Sequence, residues 1–175
     1  MDKYRNWFVV QAKGGSEIKV RNAIDSLHIK GLDTLLPLRR LYIKRSSVFK
    51  WELKPLFPGY LFIHGKIDAE SYKRIVKLTG VIKIIRNTRK EPKEVPEEEM
   101  RLIFDLMKFS EEEIIMESQA IMVNDRVSIV SGPLKGISGS IVSVNKRKQQ
   151  ATVRVPFFGT YKNINLSFEF LEKEA

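Results

Sequence analysis

The chain has 175 residues, with 31 Lys+Arg against 21 Asp+Glu, so its formal charge is +10 at pH 7. With 43% hydrophobic and 30% charged residues it is too apolar to be wholly disordered, and it has no run of about 18 apolar residues to cross a membrane as a helix. Zero cysteines exclude a disulfide scaffold, Cys-based zinc sites and thiol catalysis.

In chain order, Trp7-Phe8-Val9-Val10 is a short aromatic and β-branched run that predicts a buried strand. Gly14-Gly15 breaks it, with Ser16 as the expected N-cap of a helix whose apolar face is Val20, Ala23, Ile24 and Leu27. Gly31 is the expected stop. Leu35 to Lys44 and Val48 to Lys54 predict two strands of a long hairpin around Ser46-Ser47. After Pro58-Gly59, Tyr60 to His64 predicts a strand, Ala69 to Leu78 a second amphipathic helix, and Val81 to Ile85 a closing strand. This order implies an α+β fold of the ferredoxin-like split-βαβ type, with helices on one face of an antiparallel sheet. A third helix is expected near Glu97, its acidic first turn suiting the helix dipole, with Met100, Ile103, Phe104 and Met107 docking it.

From Met122 onward the pattern changes to short alternating strands: Arg126 to Val130, Ser140 to Val144, Ala151 to Val155 and Asn163 to Leu166. Turns at Gly132-Pro133, Gly136, Gly139 and Phe158-Gly159 separate them, which predicts a small SH3-like all-β barrel. Gly136 and Gly139 are expected to serve turns of positive φ. The domain reading is therefore 1–109, a linker at 110–119, and 120–175.

The charge follows a similar division. Residues 1–90 carry 20 Lys+Arg and 7 Asp+Glu, residues 91–118 carry 3 and 10, and residues 119–175 carry 8 and 4. A +13 block, a −7 neck and a +4 tail point to a first domain that meets nucleic acid and a second that meets protein. Patchy surface charge is the plainer alternative.

Trp7-Phe8-Val9-Val10-Gln11-Ala12, Leu56-Phe57-Pro58-Gly59-Tyr60-Leu61-Phe62 and Thr79-Gly80-Val81 resemble the signature segments of the NusG amino-terminal domain. Val123-Asn124-Asp125-Arg126-Val127 through Gly132-Pro133-Leu134-Lys135-Gly136 and Gly139 is similar to a KOW motif. The likeness runs along essentially the whole chain. Lys54-Pro55-Leu56-Phe57-Pro58-Gly59-Tyr60, the basic hairpin and Ser131-Gly132-Pro133-Leu134-Lys135-Gly136 resemble more closely the LoaP group of antiterminators within the family.

This resemblance implies a non-enzymatic transcription elongation and antitermination factor, monomeric and cytoplasmic, without cofactor or metal. Its implied partners are the largest subunit of RNA polymerase, a hairpin in the leader transcript and, through the KOW domain, a small-subunit ribosomal protein. No membrane is implied. A general NusG-type factor, or a ribosome-associated KOW RNA-binding protein, are the alternatives.

On the strand after Pro58-Gly59, alternation puts Tyr60, Phe62 and His64 on one face and Leu61 and Ile63 on the other, both apolar. Something must cover the second face: either the rest of this chain or a partner's helix. The resemblance implies that Phe57, Tyr60 and Phe62 form a groove for the polymerase clamp helices. Lys73, Arg74 and Lys77 share an outward stripe of the second helix, and Lys13 and Lys19 flank the first. Arg39, Arg40, Lys44, Arg45 and Lys50 lie on the hairpin, the first four as RNA-contacting candidates, with edge-protecting charge the alternative. RfaH, a specialised member, has His-Thr-Thr where this chain has Ser71-Tyr72-Lys73, a change that suits phosphate contact better than reading a flipped base. Ile137, Phe157 and Phe158 match the family's exposed apolar site on the barrel, with core packing the alternative for Phe157. Thr160 replaces a cation in that loop, which argues against contact with the termination factor Rho. His28, expected within the first helix, and His64 have no sequence-adjacent acid or metal-ligand partner, so neither is expected to be catalytic.

Overall fold

The computed structural model describes residues 2–171. Elements follow in chain order as β1 (Trp7–Ala12), α1 (Glu17–Ser26), β2 (Asp33–Leu35), β3 (Leu38–Arg45), β4 (Val48–Pro55), β5 (Tyr60–His64), α2 (Ala69–Val76), β6 (Val81–Ile84) and α3 (Glu97–Met107). Then come β7 (Ile114–Ile115), β8 (Ser118–Val123), β9 (Arg126–Ser131), 3₁₀ turns over Pro133–Ser140, β10 (Ile141–Asn145), β11 (Gln150–Phe157) and β12 (Thr160–Phe170). The chain forms two compact units: Met1–Pro37 with Pro55–Ile103, and Leu38–Lys54 with Phe104–Ala175.

The first unit holds a four-stranded antiparallel sheet in the order β2-β5-β1-β6. The β-branched run of β1 sits in its middle, where Val9 and Val10 are fully buried, as are Leu61 and Ile63 of β5. Helix α1 packs on β2 and β5 through Val20 and Ile24, and α2 packs on β6, with Ile75 buried. Burial of such side chains, about 1.5–3 kcal/mol each, holds the helices to the sheet. This is the split-βαβ arrangement that the element order predicts.

Several local expectations fail for physical reasons. Ser16 stands at the N-cap of α1 but its side chain makes no capping bond. Helix α1 ends at Ser26, well before Gly31, and His28 lies beyond it at φ 49. The strand expected from Leu35 to Lys44 breaks at Leu36-Pro37, because Pro37 has no N–H for a ladder. The third helix buries Met100, Ile103 and Met107 as expected and Leu106 in addition, while Phe104 is only half-buried.

The second unit is strand-rich. One sheet has the order β10-β11-β12-β8-β9 and another the order β4-β3-β7. Its core includes Leu134, Ala151, Val153, Val155, Leu166 and Phe168. The 110–119 segment, read from sequence as a linker, contains β7, paired in parallel with β3, and the start of β8. The ends of the expected domains at 1 and 172–175 lie outside the described residues. Ser46 and Ser47 turn the β3–β4 hairpin with φ of 48° and 69°, the paired left-handed geometry of tight hairpins.

Strand β3 also touches β12: the Arg39 Nη1 donates to the Asn165 carbonyl at 2.8 Å, and the Tyr42 N–H to the Ser167 hydroxyl at 3.2 Å. Residues 38–54, placed by the sequence reading inside the first domain, thus belong to the second compact unit. Gly136 and Gly139 do not adopt positive φ, contrary to expectation; the turn that demands glycine is at Gly132. There φ is 94°, and a Cβ would stand 2.7 Å from the Ser118 Cα.

Candidate nucleic-acid and partner surfaces

The basic residues of the first unit are set by two hydrogen-bonded turns. The Lys13 N–H donates to the Gly80 carbonyl at 2.8 Å, tying the entry of α1 to the turn after α2. Gly80, at φ 91°, leaves only 3.1 Å between a would-be Cβ and Val20, so this junction is tightly closed. Lys13, Lys19, Lys73, Arg74 and Lys77 are all exposed. Arg74 has a structural task as well, because its Nη2 donates to the Leu27 carbonyl at 3.0 Å, where α1 has unpaired carbonyls. Asp68 caps α2 by accepting from the Ser71 N–H at 2.7 Å, and that bond holds its carboxyl below the ordinary range.

One determinant escaped the sequence reading. Glu17 is buried, and its Oε1 accepts from the Gly15 N–H at 3.1 Å and the Gly59 N–H at 2.9 Å. This carboxylate pins the start of α1 to the Pro58-Gly59 turn. A glutamate in the first helical turn looks like an ordinary dipole partner in sequence, and only the fold reveals its second bond.

Of the three aromatic residues beside that turn, Tyr60 is half-buried while Phe57 and Phe62 are 4% and 1% exposed. The two phenyl rings meet edge to face at 6.2 Å. Both faces of β5 are thus covered within the chain, which was one of the two alternatives the alternation left open. His64 ends β5 with its ring 4.8 Å from that of Trp7.

The hairpin cations divide by task. Arg39 is half-buried, and burial lowers its guanidinium pKa. Arg40 pairs with Glu117 at 2.9 Å and lies 4.7 Å above the Trp51 ring. Arg45 meets Glu52 through two nitrogens, a hydrogen bond that raises the Arg45 pKa and lowers that of Glu52. Lys44 is exposed, its Nζ 5.8 Å from the Phe49 ring. Three of these four cations therefore also hold the hairpin in place.

On the barrel, Ile137 and Phe158 are half-buried and Phe157 is 6% exposed. Phe157 meets Phe158 edge to face at 5.2 Å and lies under the Lys162 ammonium at 4.9 Å. Core packing, the alternative for Phe157, is what its burial matches. Among the described residues, no group of three or more His, Asp or Glu side chains is arranged to hold a metal ion, and no helix is long and apolar enough to cross a membrane.

The sequence profile of the family described as "Transcription termination factor nusG" matches residues 5–104, more than half of the chain. The chain belongs to the NusG family. It is 25% identical over 176 aligned positions to the transcription termination/antitermination protein NusG of Rickettsia typhi, covering 97% of this chain and 90% of that one. NusG of Borreliella burgdorferi is 26% identical over 185 positions, covering 97% and 98%. A solved structure described as "Domain interaction in Thermotoga maritima NusG" aligns with a TM-score of 0.59 at 23% identity, over 93% of each chain. That likeness extends the NusG fold to both units, the split-βαβ sheet and the strand-rich KOW-like part.

Proposed function

We propose that this NusG-type factor binds RNA polymerase through its first domain and is recruited by a structured leader RNA, promoting read-through of long operons as the LoaP group does. The proposed functional domains are 1–109 and 120–175 about the neck at 110–119, with the 38–54 hairpin held by the second in this structure. The observation that carries the reading is the exposed basic array Lys13, Lys19, Lys73 and Lys77, whose supporting turns are joined through Lys13 and Gly80. A-form RNA offers its backbone more readily than its deep major groove, so such cations suit a paired stem. Lys44 and, beyond their structural bonds, Arg39, Arg40, Arg45 and Arg74 add to that field.

Tyr60 is the proposed contact for the polymerase clamp, with Phe57 and Phe62 as the packed floor beneath it. On the barrel, Ile137 and Phe158 are the proposed contacts for a small-subunit ribosomal protein, with Phe157 supporting them. The protein is proposed to act as a cytoplasmic, non-enzymatic monomer.

The test is sequencing of RNA crosslinked to the protein in cells. Enrichment of one or a few leader hairpins is expected; even recovery across all transcripts would overturn leader recruitment and favour a general NusG-type factor. That second reading is favoured by the full-length similarity to general NusG proteins. A ribosome-associated KOW protein has less support, because the family match at residues 5–104 precedes the KOW-like segment.

A further inference from the structure

The second unit contains a cleft of 490 Å³ lined by Tyr42, Ile43, Lys44 and Phe49 of the hairpin and by Asn145, Arg147, Lys148 and Gln150 of the barrel. This is within the size range of small-ligand sites, about 300–1,000 Å³. Its composition is informative: three cations, two aromatic rings, two amides and no carboxylate. Tyr42 and Phe49 stack with centroids 4.8 Å apart and planes at 20°, and Tyr42 lies against Trp51 at 5.0 Å, so the Phe49 ring is held in a preset plane. Lys44 stands beside the Phe49 ring. Opposite, the turn over residues 146–149 is shaped by the Asn145 Oδ1, which accepts from the Lys148 N–H at 2.9 Å, and by Gln149 at φ 52°. Lys146 is anchored on the Asp125 carbonyl, whereas Arg147 and Lys148 are exposed.

We propose that this cleft binds an unpaired RNA nucleotide, its base stacking on Phe49, which Tyr42 backs from the other side, and its flanking phosphates on Lys44, Arg147 and Lys148. The inference rests on the RNA-binding reading above and deepens it, because it supplies a single-strand site that the paired stem lacks. Flat rings beside cations are the combination by which proteins hold unpaired bases: stacking tolerates any base, and the cations follow the backbone. Beyond the bonds that the Asn145 Oδ1 accepts from the Lys148 N–H and the Gln150 Nε2 donates to the Tyr42 carbonyl, the Asn145 Nδ2 and the Gln150 Oε1 can read a base edge. It also assigns nucleic acid to the barrel, which the charge blocks of the sequence had reserved for protein.

The test uses the full chain and two fluorescein-labelled RNAs: a ten-base-pair stem closed by a pyrimidine-rich loop, and the same stem as a blunt duplex. Anisotropy is followed from about 50 to 200 mM salt. The stem-loop should bind more tightly. Phe49→Ala, with Phe49→Leu as a version that keeps apolar bulk, should weaken stem-loop binding about tenfold and leave duplex binding unchanged. Arg147→Ala with Lys148→Ala should lower the log–log salt slope by about 1.4 for two phosphate contacts. Lys19→Ala with Lys73→Ala and Lys77→Ala tests the first-unit array separately. If only that triple variant loses affinity, the cleft is overturned and the RNA reading stands. If only the cleft variants lose affinity, the cleft stands and the first-unit array is overturned. If the wild type binds neither RNA, both are overturned.

Discussion

The two compact units carry the same net charge on opposite architectures. By sequence count the unit Met1–Pro37 with Pro55–Ile103 has 16 Lys+Arg against 11 Asp+Glu, and the unit Leu38–Lys54 with Phe104–Ala175 has 15 against 10, so each is +5. Read linearly, the charge falls into a +13 block, a −7 neck and a +4 tail. The difference arises because the hairpin, with six cations and one carboxylate, folds with the barrel, and the ten carboxylates of the acidic neck divide five and five between the units. Linear charge blocks therefore do not tell which folded body meets nucleic acid.

Substitutions can break one unit and spare the other. Gly65 sits at φ 126°, and a Cβ there would stand 2.1 Å from the Gly31 carbonyl oxygen. Gly65→Ala should cost about 3 kcal/mol or more, with hydrogen exchange rising first in β1, β2, β5 and β6. Gly132→Ala should do the same to the second unit at about 2–3 kcal/mol, since it presses on Ser118, whose hydroxyl accepts from the Leu134 N–H at 2.8 Å. Glu17→Ala leaves two N–H groups without their carboxylate partner and should cost about 2 kcal/mol by urea unfolding, again in the first unit.

Smaller effects sharpen the functional contrast. Tyr60→Ala should change stability by less than about 1 kcal/mol while weakening co-purification with RNA polymerase; wild-type recovery of polymerase would remove Tyr60 from the proposed contact. Acid should touch both units mildly. Asp68 in the first and Glu52 in the second have depressed pKa values, so their stabilisation is present above the ordinary carboxylate range. It is lost as pH falls through the depressed values. Thermal midpoints of Asp68→Asn and Glu52→Gln should therefore fall less than those of wild type between pH 6 and pH 3.

Much of the local structure was legible because it depends on near neighbours. The apolar run of β1, the two helical faces and the Ser46-Ser47 turn each declare themselves within ten residues. Some misreadings are local, such as the early end of α1 and the break at Pro37, but others involve partners far along the chain. The hairpin's allegiance depends on bonds from Arg39 and Tyr42 to Asn165 and Ser167, more than 120 residues away. The role of Glu17 depends on Gly59, 42 residues on. Strand β8 alternates too weakly to stand out, and takes its form from pairing with β9 and β12. For the candidate surfaces, residue type found the cations, but only the fold shows that Arg45, exposed like Lys44, is engaged by Glu52. The cleft was invisible in sequence because Phe49 and Arg147 are almost a hundred positions apart.

The central claim is that both units meet RNA. The most direct measurement is mass spectrometry of peptides from the full-length protein crosslinked by ultraviolet light to the stem-loop RNA. The account predicts crosslinks in the first unit around Lys13 to Lys19 and Lys73 to Lys77, and in the second at Tyr42 to Phe49 and Arg147 to Gln150. Crosslinks confined to one unit would contradict it.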